Sequence, residues 1–363
     1  MTGLEGLRAP ALPTLLVIPT GIGCEQGGYA GDGLPVARLL AAASGSLITH
    51  PNVMNAAALY WSDPRIQYVE GWALDRFAAA QLALRPVRRQ RVGLLLDAGI
   101  EPELRARHLQ AADGCRVSLG LDIGPVVTTE LPLQVSLGCG PSGASWGTLA
   151  RPDALLRAGE RLRDAGASAI AVVARFPDDP DSAALAAYRG GGGVDALAGA
   201  EAVISHLLSD HLRIPCAHAP ALSPLPLDPA LDPRAAGEEL GHTFLPCVLV
   251  GLSRAPDLIA WASPASDQGP DLLRPESLGA VVAPAGALGG AAVLAAHGRG
   301  VPVISVANPC LLAVTAEALG LERADAPVLA ARSYSEAAGL VLALREGLNP
   351  AALQRPIPAL AER

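Results

Sequence analysis

The stretch TLLVIPTGIGCEQGGYAGDG, residues 14–33, sets the fold class of this chain. Its first five residues form a mainly apolar run of strand length, and a proline and six glycines follow before residue 34. Such a run is typical of a strand that is buried on both faces, and the glycines let the backbone turn sharply and approach its neighbours closely. We therefore predict a buried strand over 14–18 that is followed by a tight glycine-rich loop.

The same pattern, a short apolar run before an Ala- and Leu-rich segment, recurs along the 363 residues. This recurrence predicts an α/β fold with mostly parallel sheets, helices on both faces, Rossmann-like units and two lobes. The predicted strands are 14–18, 46–49, 92–97, 169–174, 214–217, 244–251, 280–283 and 301–306.

Proline and glycine mark the segments between strands. One helix is predicted from Pro152 to a residue before Gly166, and a second is predicted to begin at 232–233, an Asp-Pro pair. Residues 220–233 hold five prolines and predict an extended connector, while 261–276 predict a second irregular stretch.

Three regions follow from these boundaries. They are an N-terminal α/β lobe with the glycine-rich loop (1–140), a central α/β region (141–270) and a C-terminal βαβ unit (271–363). The uncharged run 278–296 is interrupted by Pro284 and glycines, so we interpret it as a strand, loop and helix and not as a membrane span.

All 27 basic residues are arginines, and the chain contains no lysine. This composition excludes a pyridoxal-phosphate Schiff base and a P-loop lysine. The net charge of −8 argues against nucleic-acid and anionic-membrane partners. The glycine-rich loop 21–33 is neither a GxGxxG fingerprint for NAD nor a Walker sequence, so the predicted partner is a small-molecule ligand and the cofactor is unknown. The sequence leaves a divalent metal and a homo-oligomer open.

The predicted compartment is the cytoplasm. The first ten residues lack the basic and apolar regions of a signal peptide. The six cysteines include no CxxC pair, so we expect reduced thiols.

Ligands of open parallel sheets bind beyond the carboxyl ends of the strands, so the residues after each predicted strand are candidates. The glycine-rich loop offers the backbone amides of Gly21, Gly23 and Gly28 to an anion. A tight loop with a structural role is the alternative.

Acid–base chemistry is assigned to Glu25 in this loop, His50 after the second predicted strand and His218 near the 214–217 strand. A lone histidine is equally often a hydrogen-bonded structural residue.

Arg175 and Arg254 follow strands and could clamp a carboxylate or phosphate, unless Arg175 pairs with Asp178 or Asp179. The remaining candidate ligand-binding residues are polar side chains near predicted strand or loop ends, with a helix N-cap as the alternative role of Asp195: Asn52, Asn55, Asp97, Ser145, Asp195 and Asn308.

A metal site is the alternative role of His218. Cys216 and His218 alternate along a predicted strand and share one face, and His206 lies on the preceding helix. The spacing matches no established zinc signature.

Several long stretches resemble one family. They include GIGCEQGGYAGDGLPVARLL (21–40), LITHPNVMNAAALYW (47–61), AIAVVARFPDD (169–179) and IPCAHAPALSPLPLDP (214–229). These motifs are similar to domain of unknown function 3326, which is found in photosynthetic microbes. The resemblance implies one family over residues 15–345 and a cytosolic protein, and it implies no reaction.

The leading hypothesis is an enzyme that acts on a small carboxylate or phosphate metabolite by acid–base chemistry at strand ends. A non-catalytic metabolite sensor or carrier is the alternative, in which the acid–base side chains do not converge on one reacting atom. A scaffold protein is the third hypothesis and predicts a large exposed apolar patch.

Overall fold

The computed structural model describes residues 10–56, 59, 62–239, 243–261, 269, 272–321, 326–357 and 359–360. The strands in these ranges are β1 Thr14–Leu16, β2 Leu47–Thr49, β3 Ile66–Tyr68, β4 Leu82–Arg85, β5 Val92–Leu96, β6 Ile123–Thr128, β7 Val135–Cys139, β8 Ser145–Leu149, β9 Ala169–Arg175, β10 Cys216–Ala221, β11 Asp257–Ala260, β12 Ala280–Pro284, β13 Val303–Val306 and β14 Val328–Ala331. The α-helices are α1 Leu34–Ser44, α2 Pro51–Met54, α3 Gly71–Ala78, α4 Pro102–Leu119, α5 Pro152–Asp164, α6 Ala183–Arg189, α7 Ala198–Leu212, α8 Leu245–Leu252, α9 Ala291–Gly298, α10 Ala316–Leu319 and α11 Tyr334–Arg345.

Two parallel sheets organise these elements. The first has the order β14-β13-β12-β1-β2-β3, and the second has the order β10-β9-β5-β6. The chain leaves the first sheet after β3, builds the second and returns with β12 to pair with β1. Two antiparallel pairs, β4 with β11 and β7 with β8, complete the fold. The predicted α/β class with mostly parallel sheets is confirmed.

Helices cover both faces of each sheet. In β1, the adjacent residues Leu15 and Leu16 are fully buried in different apolar clusters, because successive side chains of a strand point to opposite faces. Leu16 packs with residues of α1 and α11, and Leu15 packs with residues of α3 and α9. Leu94 of β5 belongs to the same cluster as Leu16, so the two sheets share a core.

Two predicted elements differ from the structure. The predicted strand 244–251 is wrong: it is the helix α8, with Pro246 in its first turn. This segment is apolar on every side, and such a buried helix has no period that separates it from a buried strand. The helix predicted at 232–233 is also wrong, since a turn and the short 3-10 helix Ala236–Glu239 follow Asp232.

Other predictions agree with the structure. Helix α5 begins at Pro152 and ends before Gly166, as its terminal residues indicate. The 278–296 run forms β12 and the start of α9. Most of the irregular stretch 261–276 lies outside the described residues.

The division at residues 140 and 270 stays a prediction. The strand order shows that the proposed C-terminal unit supplies β12, β13 and β14 to the sheet that contains β1, β2 and β3.

Helix α7 lies directly on β8 at two glycines. A Cβ atom on Gly147 would fall 2.8 Å from the backbone nitrogen of Ala200, and a Cβ atom on Gly199 would overlap the backbone of Trp146. Backbone atoms cannot rotate away, so both positions require a residue without a Cβ atom.

We expect Gly199→Ala to lower the free energy of unfolding by about 1–3 kcal/mol, because it forces α7 away from β8. The matched control is Gly114→Ala in α4, where no heavy atom lies within 4 Å of the added Cβ atom. The control should gain roughly 0.5–1 kcal/mol from helix propensity. Denaturant unfolding measures both, and equal stability of the two variants would contradict the close packing of α7 on β8.

Candidate functional site

His50 lies at the end of β2 and supports β1. Its Nε2 atom accepts a hydrogen bond from the backbone N–H of Ile18 at 3.1 Å. Burial lowers the pKa of His50 to about 4, so the ring is neutral at pH 7. The structure places His50 as a hydrogen-bond acceptor behind the glycine-rich loop.

Asn308 holds the glycine-rich loop in place. Its Oδ1 atom accepts from the backbone N–H of Gln26 at 3.0 Å, and its Nδ2 atom donates to the carbonyl of Gln26 at 2.8 Å. The Nδ2 atom also donates to the hydroxyl of Tyr334 at 3.0 Å. The amide side chain therefore binds the protein backbone on both of its edges.

The glycine-rich loop contacts a second glycine run that begins at Gly190. Gly23 adopts a φ of +62°, and a Cβ atom there would fall 3.0 Å from the carbonyl oxygen of Gly193. The rings of Tyr29 and Tyr188 stack with their centroids 4.2 Å apart. The Tyr29 hydroxyl donates to the carbonyl of Tyr188 at 2.8 Å, so each loop fixes the position of the other.

Arg234 joins these segments. Its guanidinium lies 4.5 Å from the centre of the Tyr29 ring. It donates to the carbonyls of Gly191 at 2.9 Å, Cys24 at 3.1 Å and Glu25 at 2.6 Å. Its donors are used within the protein, so Arg234 braces the loops and is not offered to a ligand.

Glu238 receives hydrogen bonds from both loops. Its Oε1 atom accepts from the Tyr188 hydroxyl at 2.6 Å and from the backbone N–H of Ala30. Burial raises the pKa of Glu238 to about 6, and the nearby carboxylates of Glu201 and Asp32 act in the same direction. The glycine-rich loop thus presents a backbone amide to a carboxylate, although the carboxylate belongs to the protein.

Two more acidic groups lie beside Glu238, and we call Asp195, Glu201 and Glu238 the carboxyl cluster. Asp195 Oδ1 caps the start of α7 by accepting from the backbone N–H of Leu197 at 2.9 Å. Burial and the charges of Glu201 and Glu238 raise the pKa of Asp195 well above its ordinary value. Like charges in a poorly solvated place disfavour each other, so these neighbours favour the protonated form of Asp195.

His218 adjoins the carboxyl cluster. Its Nε2 atom lies 3.4 Å from Glu201 Oε2, and its Nδ1 atom hydrogen-bonds the hydroxyl of Ser205. Both partners lie on α7, while His218 lies on β10. The predicted acid–base residue His218 is therefore next to titratable carboxyls.

A cleft of about 460 Å³ opens against Glu238, between α4 and α8. We call it the α4–α8 cleft. Arg107 lies on its α4 side and pairs with Glu103 at 2.9 Å on the exposed surface. The lining residues are mostly apolar: Ala56, Leu59, Arg107, Gln110, Ala111, Gly237, Glu238, Thr243, Phe244, Pro246 and Cys247.

Asn55 lies next to this lining. Its Oδ1 atom accepts from the Tyr68 hydroxyl at 3.0 Å, and both residues are buried. The predicted neighbour Asn52 is partly buried, and its backbone carbonyl accepts from the N–H of Gly31 at 2.8 Å.

Asp97 and Arg175 have structural partners. Asp97 is buried and accepts hydrogen bonds from three backbone N–H groups, including that of Arg175 at 3.0 Å. The Arg175 guanidinium lies 2.9 Å from Glu101 and 2.6 Å from Asp178, and these hydrogen bonds raise its pKa. The structure therefore favours the structural pair for Arg175 over a substrate clamp.

None of the predicted residues Glu25, Arg254 and Ser145 lines the cleft. The side chains of Glu25 and Arg254 are exposed and are not among the residues that line the cleft. The buried hydroxyl of Ser145 has no hydrogen-bond partner among the described residues, and a Cβ atom on Gly21 would overlap it. A Cβ atom on Gly28 would overlap the backbone of Cys24.

The predicted metal ligands do not converge. His206 Nδ1 lies 2.8 Å from Oε1 of Glu70, the N-cap residue of α3, and this interaction outweighs burial and raises the pKa of His206. The Cys216 thiol donates to the carbonyl of Ile214 at 3.4 Å, and His218 faces Ser205. In the described part of the chain, no group of three or more His, Cys, Asp or Glu side chains could hold a metal ion.

Sequence reasoning missed Glu201, Glu238 and Arg107. All three lie on helices, so a search restricted to strand ends passes over them. Tyr188 carried a usable signal, because it lies two residues before a run of four glycines. Glu238 also carried a usable signal, because it belongs to an acidic pair that follows the proline-rich connector.

The fold and the site define an α/β protein with a cleft of small-molecule size beside a cluster of partly buried carboxyls. The chain belongs to the family described as Protein of unknown function (DUF3326), whose model matches residues 13–354. A relative from Synechococcus sp. (strain ATCC 27144 / PCC 6301 / SAUG 1402/1), named an uncharacterized lipoprotein, is 54% identical over 344 residues. The alignment covers 94% of this chain and 93% of the relative. No solved structure matches the chain.

The predicted cytoplasmic location is wrong in the light of this relative, because a lipoprotein is anchored by lipid and is not a cytoplasmic protein. The expectation of reduced thiols rested on that location and loses its support. Across the described ranges, no helix has both the length and the apolar character to cross a bilayer. The Cys24 thiol is 1% exposed, so it is closed to modification by a bulky group in the folded chain.

Glu238 should make stability depend on pH. Its pKa of about 6 exceeds the ordinary 4.5, so the folded chain binds this proton more tightly than the unfolded chain. The resulting stabilisation is complete below pH 4.5 and is lost as the pH rises through about 6.

We expect Glu238→Gln, which keeps the acceptor oxygen but cannot ionise, to lose less stability than the wild type over this pH interval. Denaturant unfolding at a series of pH values measures the difference. Glu317→Gln, at an exposed position on α10, is the control and should follow the wild type. Parallel curves for the wild type and Glu238→Gln would show that Glu238 has an ordinary pKa.

Proposed function

We propose that this protein is an enzyme that performs acid–base chemistry on a small metabolite bound in the α4–α8 cleft. The metabolite carries a carboxylate or phosphate and an apolar body. The observation that carries the proposal is Glu238, a carboxyl group in the wall of the cleft whose pKa is raised to about 6 by burial.

A pKa near the working pH suits proton transfer. Both forms of Glu238 are populated, so the group can donate a proton and take it back in one cycle. The Tyr188 hydroxyl donates to Glu238 at 2.6 Å and stabilises the carboxylate that forms. The neighbouring Glu201 pairs with His218 at 3.4 Å and offers a route by which the proton leaves the cleft. Glu238 is the proposed general acid and base.

Arg107 is the proposed anion-binding residue. Its ion pair with Glu103 is exposed, and exposed pairs contribute little free energy, so a substrate anion can compete with Glu103. A guanidinium binds a carboxylate or phosphate through two parallel hydrogen bonds. The apolar side chains of Leu59 and Phe244 supply the surface for the rest of the substrate.

A non-catalytic metabolite-binding protein is the second candidate. It is favoured by one observation: none of the three predicted acid–base residues, Glu25, His50 and His218, lines the cleft. This candidate uses the same Arg107 contact and needs no proton transfer by Glu238.

Ligand binding tests the cleft. We expect a panel of small carboxylates and phosphates to contain compounds that raise the Tm of the wild-type protein. Arg107→Gln should weaken their binding about tenfold or more, because a charged hydrogen-bonded contact is lost. Arg116→Gln is the matched control, since Arg116 lies on the same helix and also pairs with an exposed carboxylate, Asp113. An equal loss of ligand affinity in both variants would argue against binding in the α4–α8 cleft.

Catalysis is tested on the compounds that bind. We expect Glu238→Gln to lower kcat by about 10²–10⁴-fold while Kd changes little, because an acid–base group acts in the reaction step. Product formation is measured by mass spectrometry, with Glu317→Gln as the control. Binding without turnover in the wild type would overturn the proposed enzymatic function and favour a non-catalytic metabolite-binding protein.

A further inference from the structure

Two segments beyond the carboxyl ends of β1 and β13 run side by side. The backbone N–H of Leu311 donates to the carbonyl of Ile22 at 3.0 Å. The backbone N–H of Glu25 donates to the carbonyl of Pro309 at 2.8 Å. Cys24 and Cys310 lie between these two hydrogen bonds, one on each segment.

The two cysteines face each other. Cys310 is among the groups that raise the pKa of Cys24, so the two thiols are close neighbours. The Cys24 thiol donates to the carbonyl of Pro19 at 3.9 Å, the Cys310 thiol donates to that of Leu312 at 3.5 Å, and all six cysteines of the chain are free thiols in the structure. Residues opposite each other on paired backbone segments have Cα atoms roughly 4.5–5.5 Å apart. Disulfides span Cα separations of about 4.4–6.8 Å, a range that includes the spacing of opposite residues on paired segments.

We propose that Cys24 and Cys310 are a redox site: they form a reversible disulfide that fastens the glycine-rich loop to the segment after β13. The oxidant is a small disulfide such as oxidised glutathione. Two thiols of the protein lose two protons and two electrons and form one S–S bond, and the oxidant is reduced to two thiols.

Exposure sets the order of the two steps. Cys310 is partly exposed and Cys24 is buried, so the Cys310 thiolate attacks the oxidant and releases the first glutathione thiolate. The Cys24 thiolate then attacks the Cys310 sulfur of the mixed disulfide and releases the second. Burial raises the pKa of Cys24 to about 12, which makes the second step the slow one.

The bond would lock the loop that shapes the carboxyl cluster. The glycine-rich loop donates the N–H of Ala30 to Glu238, and Asn308 already holds it through Gln26. A cross-link between residues so far apart in sequence also restricts the unfolded chain, so the oxidised protein should have a higher Tm.

The test uses the full chain, incubated with oxidised glutathione and then digested under non-reducing conditions. We expect a peptide pair that joins Cys24 to Cys310, loss of these two free thiols beside any mixed disulfide that forms on the exposed Cys139, and a higher Tm that dithiothreitol reverses. Cys139→Ser, which removes the exposed cysteine of β7, should form the same peptide pair and show the same rise in Tm, with loss of only the Cys24 and Cys310 thiols.

The single variants separate the two steps. Cys24→Ser should stop at the mixed disulfide on Cys310, and Cys310→Ser should leave Cys24 unreacted and show no rise in Tm. If a variant does not fold, the wild-type peptide map decides alone. Absence of the Cys24–Cys310 peptide, or the same rise in Tm in Cys310→Ser, would overturn the proposal.

Discussion

The pairing of β1 with β12 is the interaction on which the rest of the structure depends. Strand β1 has only three residues, yet it lies between β12 and β2, and its side chains are buried on both faces. All strands of the second sheet precede β12 in the sequence. The short N-terminal strand β1 therefore pairs with a strand that is distant in sequence. Once paired, the carboxyl ends of β1, β2 and β13 share one edge, which brings the glycine-rich loop to Asn308.

At this edge of the sheet, an arginine makes contacts that a lysine could not make. Arg234 bonds three backbone carbonyls and stacks on Tyr29, and a planar guanidinium with five donors can make these contacts together. An ammonium group has three donors and no planar face. Arginine thus joins loops that no regular element connects, and these loops carry the contacts to Glu238.

The candidate site could be predicted only in part. Asp195, a member of the carboxyl cluster, and His218, its neighbour, follow from their positions beside a glycine run and a strand. Glu238 does not: burial raises its pKa, the hydrogen bonds from Tyr188 and Ala30 act against this rise, and both of these partners are distant in sequence. Arg175 shows the opposite error: it sits at a strand end, but Glu101 and Asp178 occupy its guanidinium.

The sequence by itself determined the α/β class, most strands of both sheets, the helix α5 and the family, because these depend on local apolar runs, terminal residues and long motifs. Only the tertiary structure decided that 244–251 is the helix α8, that the carboxyl cluster exists and that Cys24 faces Cys310. Each of these depends on which distant segments pack together. Burial, charge proximity and thiol contact are properties of that packing, and no local pattern encodes them.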